Sequence, residues 1–426
     1  MINRKLQPEL KKIKTLYIPE PQEARLDNQI PVFMFNAGNI GITRLDFIFD
    51  AGSCYQDKPL IASYTNKMLT EGTLSYSAYE IARKLDFYGA WISKSVTKDS
   101  AALSLSVLNK HLKYVLPVLN EIINHPEFPE NELHINTQKD KQGFIDDCRK
   151  VNEVASMNFN HQLFGKRHPY GTLVKAEDFD KLEHKQLSVF HNQRYTAANC
   201  KIIVSGKLSR DILSQLNYCF GYVQKSRTVQ KTKKSPQIIS GTQKQFIEMP
   251  SAVQSAIRIG KIAVNKTHED YLKLFILNTL LGGYFGSRLM KNIREDKGYT
   301  YGIYSMVRSY RQSAAFVIAS EVGAGVCRDA LREIYKELKI LNSEPVDPQE
   351  LDLVRKYLAG TLIRNFDGPF QVADRFISLL EYGIDYKKYY TDFLNTINTV
   401  TAEDLFQISG KYFDPDSMFE LVAGKQ

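Results

Sequence analysis

Hydrolysis at a bound metal needs ligands that meet in space, most simply two histidines one helical turn apart plus a carboxylate. The eight histidines here are His111, His125, His134, His161, His168, His184, His191 and His268, and none lies three or four residues from another. His161 and His168 are seven apart, as are His184 and His191. That is roughly 10 Å along a helix, too far to share one ion bound at about 2 Å. The spacing predicts helix-face or capping roles for these side chains. The five cysteines, Cys54, Cys148, Cys200, Cys219 and Cys327, are scattered and form no CxxC pair, which argues against a thiolate zinc site and against a disulfide framework. No HExxH, GxSxG or phosphate-cradling GxxxxGK[ST] string occurs. The chain holds no self-sufficient catalytic constellation.

One segment suits a different chemistry, the gripping of a peptide. Leu281-Gly282-Gly283-Tyr284-Phe285-Gly286-Ser287-Arg288-Leu289 leads into Met290-Lys-Asn-Ile-Arg294-Glu-Asp-Lys-Gly298-Tyr299-Thr300-Tyr301. Gly282, Gly283 and Gly286 let a backbone pass close to another chain. Arg294 supplies a planar, permanently charged set of donors, and Tyr301 adds a hydroxyl. Together they suit the carbonyl oxygens of an extended peptide. The same residues also read as a helix C-cap followed by a surface ion pair, and both readings stand on the residues alone.

The elements that must position these groups occupy 426 residues, enough for two domains or more. With 43% hydrophobic and 24% charged residues, 24 Gly and 15 Pro, the chain is neither collagen-like, disordered nor a coiled coil. No apolar run approaches the roughly 20 residues of a membrane span, and Met1–Tyr17 has no secretory apolar core, so the cytoplasm is the expected location. The net charge of +9 is concentrated in one stretch, Lys225 to Lys234, with no interleaved aromatics. That pattern fits a solvated linker better than a nucleic-acid surface. We read 224–243 as a linker between a first domain, 1–223, and a second, 244–426. Lys185–Lys207 and Glu403–Lys425 align without a gap 218 residues apart and both end on Gly-Lys (Gly206-Lys207, Gly424-Lys425). A duplicated domain accounts for this. Strands are expected at Pro31–Phe35, Arg44–Asp50, Trp91–Val96, Ala101–Leu108, Ala256–Val264, Ser305–Arg308 and Ala314–Ser320. Helices are expected at Pro59–Thr70, Tyr79–Tyr88, His111–Asn124, Glu269–Leu281, Val326–Leu341, Gln349–Asn365, Phe370–Tyr382, Tyr386–Ile397 and Thr401–Tyr412, with one long helical stretch over Pro129–Asn160. Strands and helices are grouped rather than alternating, which predicts an α+β fold in each half.

The string LLGGYFGSRLMKNIREDKGYTYGIYS, with Arg294 and Tyr301 at a spacing of seven, is similar to the second-half signature of the inverted-zinc-motif peptidases, the pitrilysin, insulysin and mitochondrial-processing-peptidase family. HPYG at 168–171 and FHNQRYTAANCKIIVSGKL at 190–208 resemble that family's first-domain ending. The resemblance implies two homologous α/β-sandwich-like domains, each a mostly antiparallel sheet packed by helices. In active members it implies HxxEH on a first-half helix, with a further Glu about 76 residues on. Here AGSCYQDKPLIASYTNKMLTEGT occupies that place, and anchoring on Met68-Leu69 and Glu71-Gly72-Thr73 sets Ser63, Asn66 and Lys67 where His, Glu and His belong. The distal window, 138–144, holds Asp140 as its sole carboxylate. The metal half of the machinery is therefore replaced while the Arg–Tyr half is kept. This resembles the non-catalytic subunit of the family's two-chain enzymes. That resemblance implies no catalytic residue, metal or cofactor in this chain, and an HxxEH partner carrying the zinc. It also implies a peptide substrate held by Arg294 and Tyr301, and a heterodimer, with a homodimer as the assembly open to the chain alone. The alternative is a scaffold member of the family without a proteolytic role.

Overall fold

A computed structural model describes residues 13–222 and 243–425. The expected linker, apart from Gln243, lies outside them. The first half carries strands β1 (Gln22–Arg25), β2 (Pro31–Asn36), β3 (Ile42–Phe49), β4 (Trp91–Val96), β5 (Ala101–Leu108) and β6 (Cys200–Gly206). Its helices are α1 (Ile61–Lys67), α2 (Ala78–Phe87), α3 (Leu112–Asn124), α4 (Glu130–Asp147), α5 (Val151–Phe164), α6 (Ala176–Phe179), α7 (His184–Arg194) and α8 (Ile212–Phe220). The second half carries β7 (Lys244–Glu248), β8 (Gln254–Ala263), β9 (Ile303–Ser309), β10 (Ala314–Gly323) and β11 (Phe419–Gly424). Its helices are α9 (Tyr271–Asn278), α10 (Cys327–Ser343), α11 (Pro348–Arg364), α12 (Pro369–Leu380), α13 (Tyr386–Thr399) and α14 (Ala402–Tyr412). The fold is α+β, two sheets packed by helices.

Side-chain periodicity explains the elements. In β5, Ala101, Leu103, Leu105 and Val107 are buried and their neighbours are not, the period of two that a pleated strand imposes. In α3, Leu112, Val115, Leu116, Leu119 and Ile122 fall on one buried stripe. Helix starts are marked by side chains: Ser77 and Glu80 close a capping box on α2, Thr401 and Asp404 another on α14, and Asp347 precedes Pro348 at the first turn of α11.

The sheets run β1-β2-β6-β3-β5-β4 and β7-β11-β8-β10-β9. Without β1 the two orders are the same. In each, the first strand lies parallel to the last, β2 to β6 and β7 to β11, and the other neighbours are antiparallel. The helix pairs α4/α11, α5/α12 and α7/α14 each start 218 residues apart, the offset of the sequence repeat. Gly206 and Gly424 close equivalent strands with positive φ, +125° and +147°.

The two halves exchange a helix. Val151, Ala155 and Phe159 of α5 pack on Val317, Phe419, Leu421 and Ala423, the back of the second sheet. Val372, Ala373 and Phe376 of α12 join a core with Phe35, Ile48 and Ile203, the back of the first sheet, and Phe376 meets the Phe33 and Phe35 rings at 4.9 and 5.4 Å. An arginine pins each exchanged helix, half-buried Arg44 in the first sheet and buried Arg258 in the second. Arg44 of β3 holds Asp374 at 2.6 Å and Asp46 at 2.9 Å. Arg258 of β8 donates to Ser156 Oγ at 3.0 Å and to Asn152 Oδ1. The single stretch expected over Pro129–Asn160 is thus two helices. The chain breaks into extended backbone at Lys150 because α5 leaves its own half to cover the other sheet. No Gly or Pro marks that break.

His168 and His191 act as capping and packing groups. His168 Nδ1 accepts from Tyr170 N–H at 3.1 Å. His191 is buried between Phe128 and Tyr195 and hydrogen-bonds Ile123 O through Nε2 at 2.8 Å. Burial pulls its imidazole down to about 4. The unfolded chain binds a proton below its ordinary value of about 6.5, and the folded chain resists until about 4, so stability falls as pH drops through that window. Urea titrations should show roughly 2 kcal/mol lost by about pH 5 from this group alone. The slope should flatten in His191→Phe.

Candidate functional site

α1 begins after Leu60, whose backbone is left-handed (φ +73°), and ends in the tighter turn Met68–Thr70. It carries Ser63, Asn66 and Lys67, the three residues that the resemblance aligns with metal ligands and base. Ser63 is exposed, and its hydroxyl donates to Leu60 O at 2.9 Å. Asn66 is 2% exposed, and its amide donates to Tyr195 OH at 3.1 Å and Ala102 O at 3.3 Å. Its nitrogen is spent on the core. Lys67 Nζ sits 2.6 Å from Asp140 Oδ2 on α4, with the two side chains 36% and 33% exposed. Tyr64 OH donates to the same oxygen at 2.8 Å, and burial followed by this bond raises its phenol well above the ordinary value.

The sole carboxylate of the distal window therefore does meet α1, and it meets an ammonium. Lys94 of β4 adds a second cation. Its Nζ donates to Lys67 O and Thr70 Oγ1, capping the end of α1. Burial pulls the Lys94 amine down to about 8, opposed by Glu71 and reinforced by the charge of Lys67. Zinc of this chemistry takes three anionic or imidazole ligands and a water. A hydroxyl bonded to a backbone carbonyl, a buried amide and an ammonium do not fit it. Among the described residues, no three His, Cys, Asp or Glu side chains gather into a metal-holding group. Tyr64 and Lys94 escaped the sequence reading. Their partners are distant in the chain, and no local spacing signals them.

The second constellation sits at the far end of α9. That helix continues through a wide π turn over Thr279–Gly283. Gly282 and Gly283 thus belong to the helix end, and only Gly286 lies in the turn beyond it. This corrects the expectation that all three form a Gly-rich loop passing close to another chain, and for Gly282 and Gly283 it agrees with the helix-end reading. A Cβ on Gly282 would stand 2.6 Å from the backbone nitrogen and hydroxyl of Ser305. The close approach is to this chain's own β9. Arg288 is taken by a two-pronged pair with Glu350, at 2.9 and 2.7 Å, which fastens the segment to α11. Arg294 lies on the next wide-turned helix, Met290–Asp296, with its guanidinium 4.6 Å from the centre of the exposed Phe285 ring. That contact fixes the fork without consuming its donors. Tyr301 is 95% exposed. No hydrogen bond among the described residues joins Arg294 to Tyr301. Both precede β9, the outermost strand of its sheet, with Tyr301 two residues before its start. A cleft of about 930 Å³ between Tyr284, Asn292, Glu333 and Glu350 lies nearby and includes neither residue.

Comparison with known proteins extends this geometry. The family model described as "Insulinase (Peptidase family M16)" matches residues 42–168, and that described as "Peptidase M16 inactive domain" matches 181–358. The chain is 26% identical over 370 residues to "Uncharacterized zinc protease YmxG" of Bacillus subtilis, covering 85% of this chain and 88% of the relative. It is 20% identical over 326 residues to "Non-peptidase homolog YmxG" of Helicobacter pylori, covering 74% and 73%. Among solved structures, a peptidase M16 inactive domain from Pseudomonas fluorescens superposes with a TM-score of 0.86 at 25% identity, covering 95% of this chain and 98% of that one. A protease from Helicobacter pylori superposes at 0.87 with 18% identity, covering 96% and 100%, a likeness of fold. No described helix is long and apolar enough to cross a membrane.

Proposed function

This chain belongs to peptidase family M16, and from that premise we propose that it is a non-catalytic, substrate-binding subunit of a two-chain zinc peptidase, positioning an extended peptide opposite an HxxEH partner. One observation carries the reading. At the position that the resemblance gives to a zinc ligand, α1 offers the Lys67 ammonium, already paired with Asp140 at 2.6 Å. The name of the Helicobacter pylori relative, a non-peptidase homolog, points the same way.

The other half of the machinery supports the positive role. Arg294 is held by Phe285 with its donors unspent, and Tyr301 is open to solvent. The outer edge of β9 can pair an extended peptide through backbone hydrogen bonds. Arg294 and Tyr301 would then hold carbonyl oxygens of that peptide, orienting it and stabilising charge that develops there.

The test is reconstitution with an HxxEH chain of the same family. Alone, the protein should cleave no peptide and carry no stoichiometric zinc. Mixed, activity should appear. Arg294→Ala should then lower turnover about 10²–10³-fold, and Tyr301→Phe by less, with thermal stability unchanged. Cleavage by the chain alone, or one tight zinc per chain, overturns the reading. Full turnover in both variants removes the role of the pair, and no gain of activity on mixing favours the scaffold alternative.

A further inference from the structure

Among the described residues, the second sheet has a bare edge where the first has a strand. β1 lies antiparallel on β2. β7, the counterpart of β2, ends its sheet, and no described strand covers it. Its pairing with β11 assigns its backbone groups. Glu420 N–H donates to Gln243 O at 3.0 Å and Met249 N–H to Gly424 O at 2.8 Å. In a parallel ladder the odd-numbered residues of β7 therefore face β11. The N–H and C=O groups of Lys244, Phe246 and Glu248 point away from the sheet, and all three residues are exposed.

Beside this edge runs a groove of about 640 Å³ between β7 and α10. Five cations line it, Lys244, Arg328, Arg332, Lys336 and Lys339, against one carboxylate, Glu420. The four on α10 are exposed and recur every three or four residues, so they share one helical face. The acidic Glu333 and Glu337 reach instead to Asn292 on the other side. Arg332 pairs with Asp329, and Lys336 is 3.6 Å from Glu333, exposed pairs that bind weakly. Glu420 is buried, and its Oε2, 3.5 Å from Lys244 Nζ, has no hydrogen-bond partner. The groove thus combines unpaired strand backbone, surplus positive charge and one buried acceptor.

We propose that this edge docks an extended acidic segment of a partner protein, which adds to β7 as a sixth strand, as β1 does on β2. Its backbone pairs with Lys244, Phe246 and Glu248. Its carboxylates meet the cations of α10, and one of its donors reaches Glu420. Bare edges with matched charge are surfaces that such strands select. The inference does not depend on the peptidase reading.

The probe is a synthetic ten-residue peptide alternating glutamate and valine, titrated against the full chain by fluorescence anisotropy, with hydrogen exchange on the complex. The expected results are binding that weakens about tenfold between low and moderate salt, slowed exchange of the Lys244, Phe246 and Glu248 amides, and a further tenfold weakening in Arg328→Glu/Lys339→Glu. These are exposed positions whose substitution leaves the fold intact. A lysine–valine peptide, and a glutamate–valine peptide methylated on alternate backbone nitrogens, should both fail. The proposal is overturned by no binding, by binding indifferent to the charge reversal, by protection at β4 or β9 in place of β7, or by self-association of the chain through this edge.

Discussion

Gly206→Ala and Gly424→Ala should each lower the unfolding free energy by about 3 kcal/mol or more. Two costs coincide at both positions. Their φ values of +125° and +147° lie where a side chain is strained. A Cβ on Gly206 would also stand 2.1 Å from the Ile42 carbonyl oxygen, and one on Gly424 would stand 2.6 Å from Ser255 Cα and 2.8 Å from Gln254 O. These obstacles are backbone of the neighbouring strand, so no rotamer change relieves them. Gly143→Ala is the contrast. It lies within α4 with nothing inside 4 Å of a new Cβ, and it should be neutral or stabilising by about 0.5–1 kcal/mol. Urea denaturation of the three variants decides the matter. Equal stability across them would mean that the closing glycines of the two repeats are not constrained by this geometry.

Arg258→Ala should cost about 3 kcal/mol, and the loss should reach both halves. The guanidinium is buried, with Nη1 donating to Ile257 O at 2.9 Å and Nη2 to Ser156 Oγ at 3.0 Å and Asn152 Oδ1. Burial pulls its proton affinity below the ordinary arginine value, a sign of the desolvation those bonds offset. Truncation leaves Asn152 and Ser156 with unmet polar groups against the sheet. Replacing all three, Arg258→Met with Asn152→Leu and Ser156→Ala, should restore most of the stability, because an apolar set has nothing left to satisfy. Hydrogen exchange is the discriminating readout. Amides of β5 in the first sheet should lose protection with those of β8 in the second. Loss confined to the second sheet would show that the exchanged helices do not couple the halves.

Much of this was legible in the residues. The period-two burial of β5 and the apolar stripe of α3 come from local alternation, which burial on one face enforces. The repeat was readable because Gly206 and Gly424 meet the same steric demand, and the helix before each, α7 or α14, starts 22 residues ahead of it. That Ser63, Asn66 and Lys67 share one helix was readable from their spacing, and their residue types alone say that a hydroxyl, an amide and an ammonium do not bind zinc as histidine and glutamate do. What escaped depends on contacts remote in sequence. The break before Val151 has no Gly or Pro because it is set by the sheet that α5 covers. The partnership of Lys67 and Asp140 spans two helices, and Lys94 reaches α1 from a strand. The end of α9 was misjudged for a related reason. A helix usually stops at Gly-Gly, but the tight seat against Ser305 needs Gly282 within the last turn.

The crossed helices bear on synthesis and on motion. As the ribosome extends the chain, the back of the first sheet stays bare until Pro369–Leu380 emerges, so neither repeat can mature ahead of the other. A cut between them would leave two greasy surfaces rather than two stable fragments. Once interlocked, the repeats cannot swing apart like the covers of a book. If a peptide is swallowed between this polypeptide and a companion, the gate must lie at their mutual boundary.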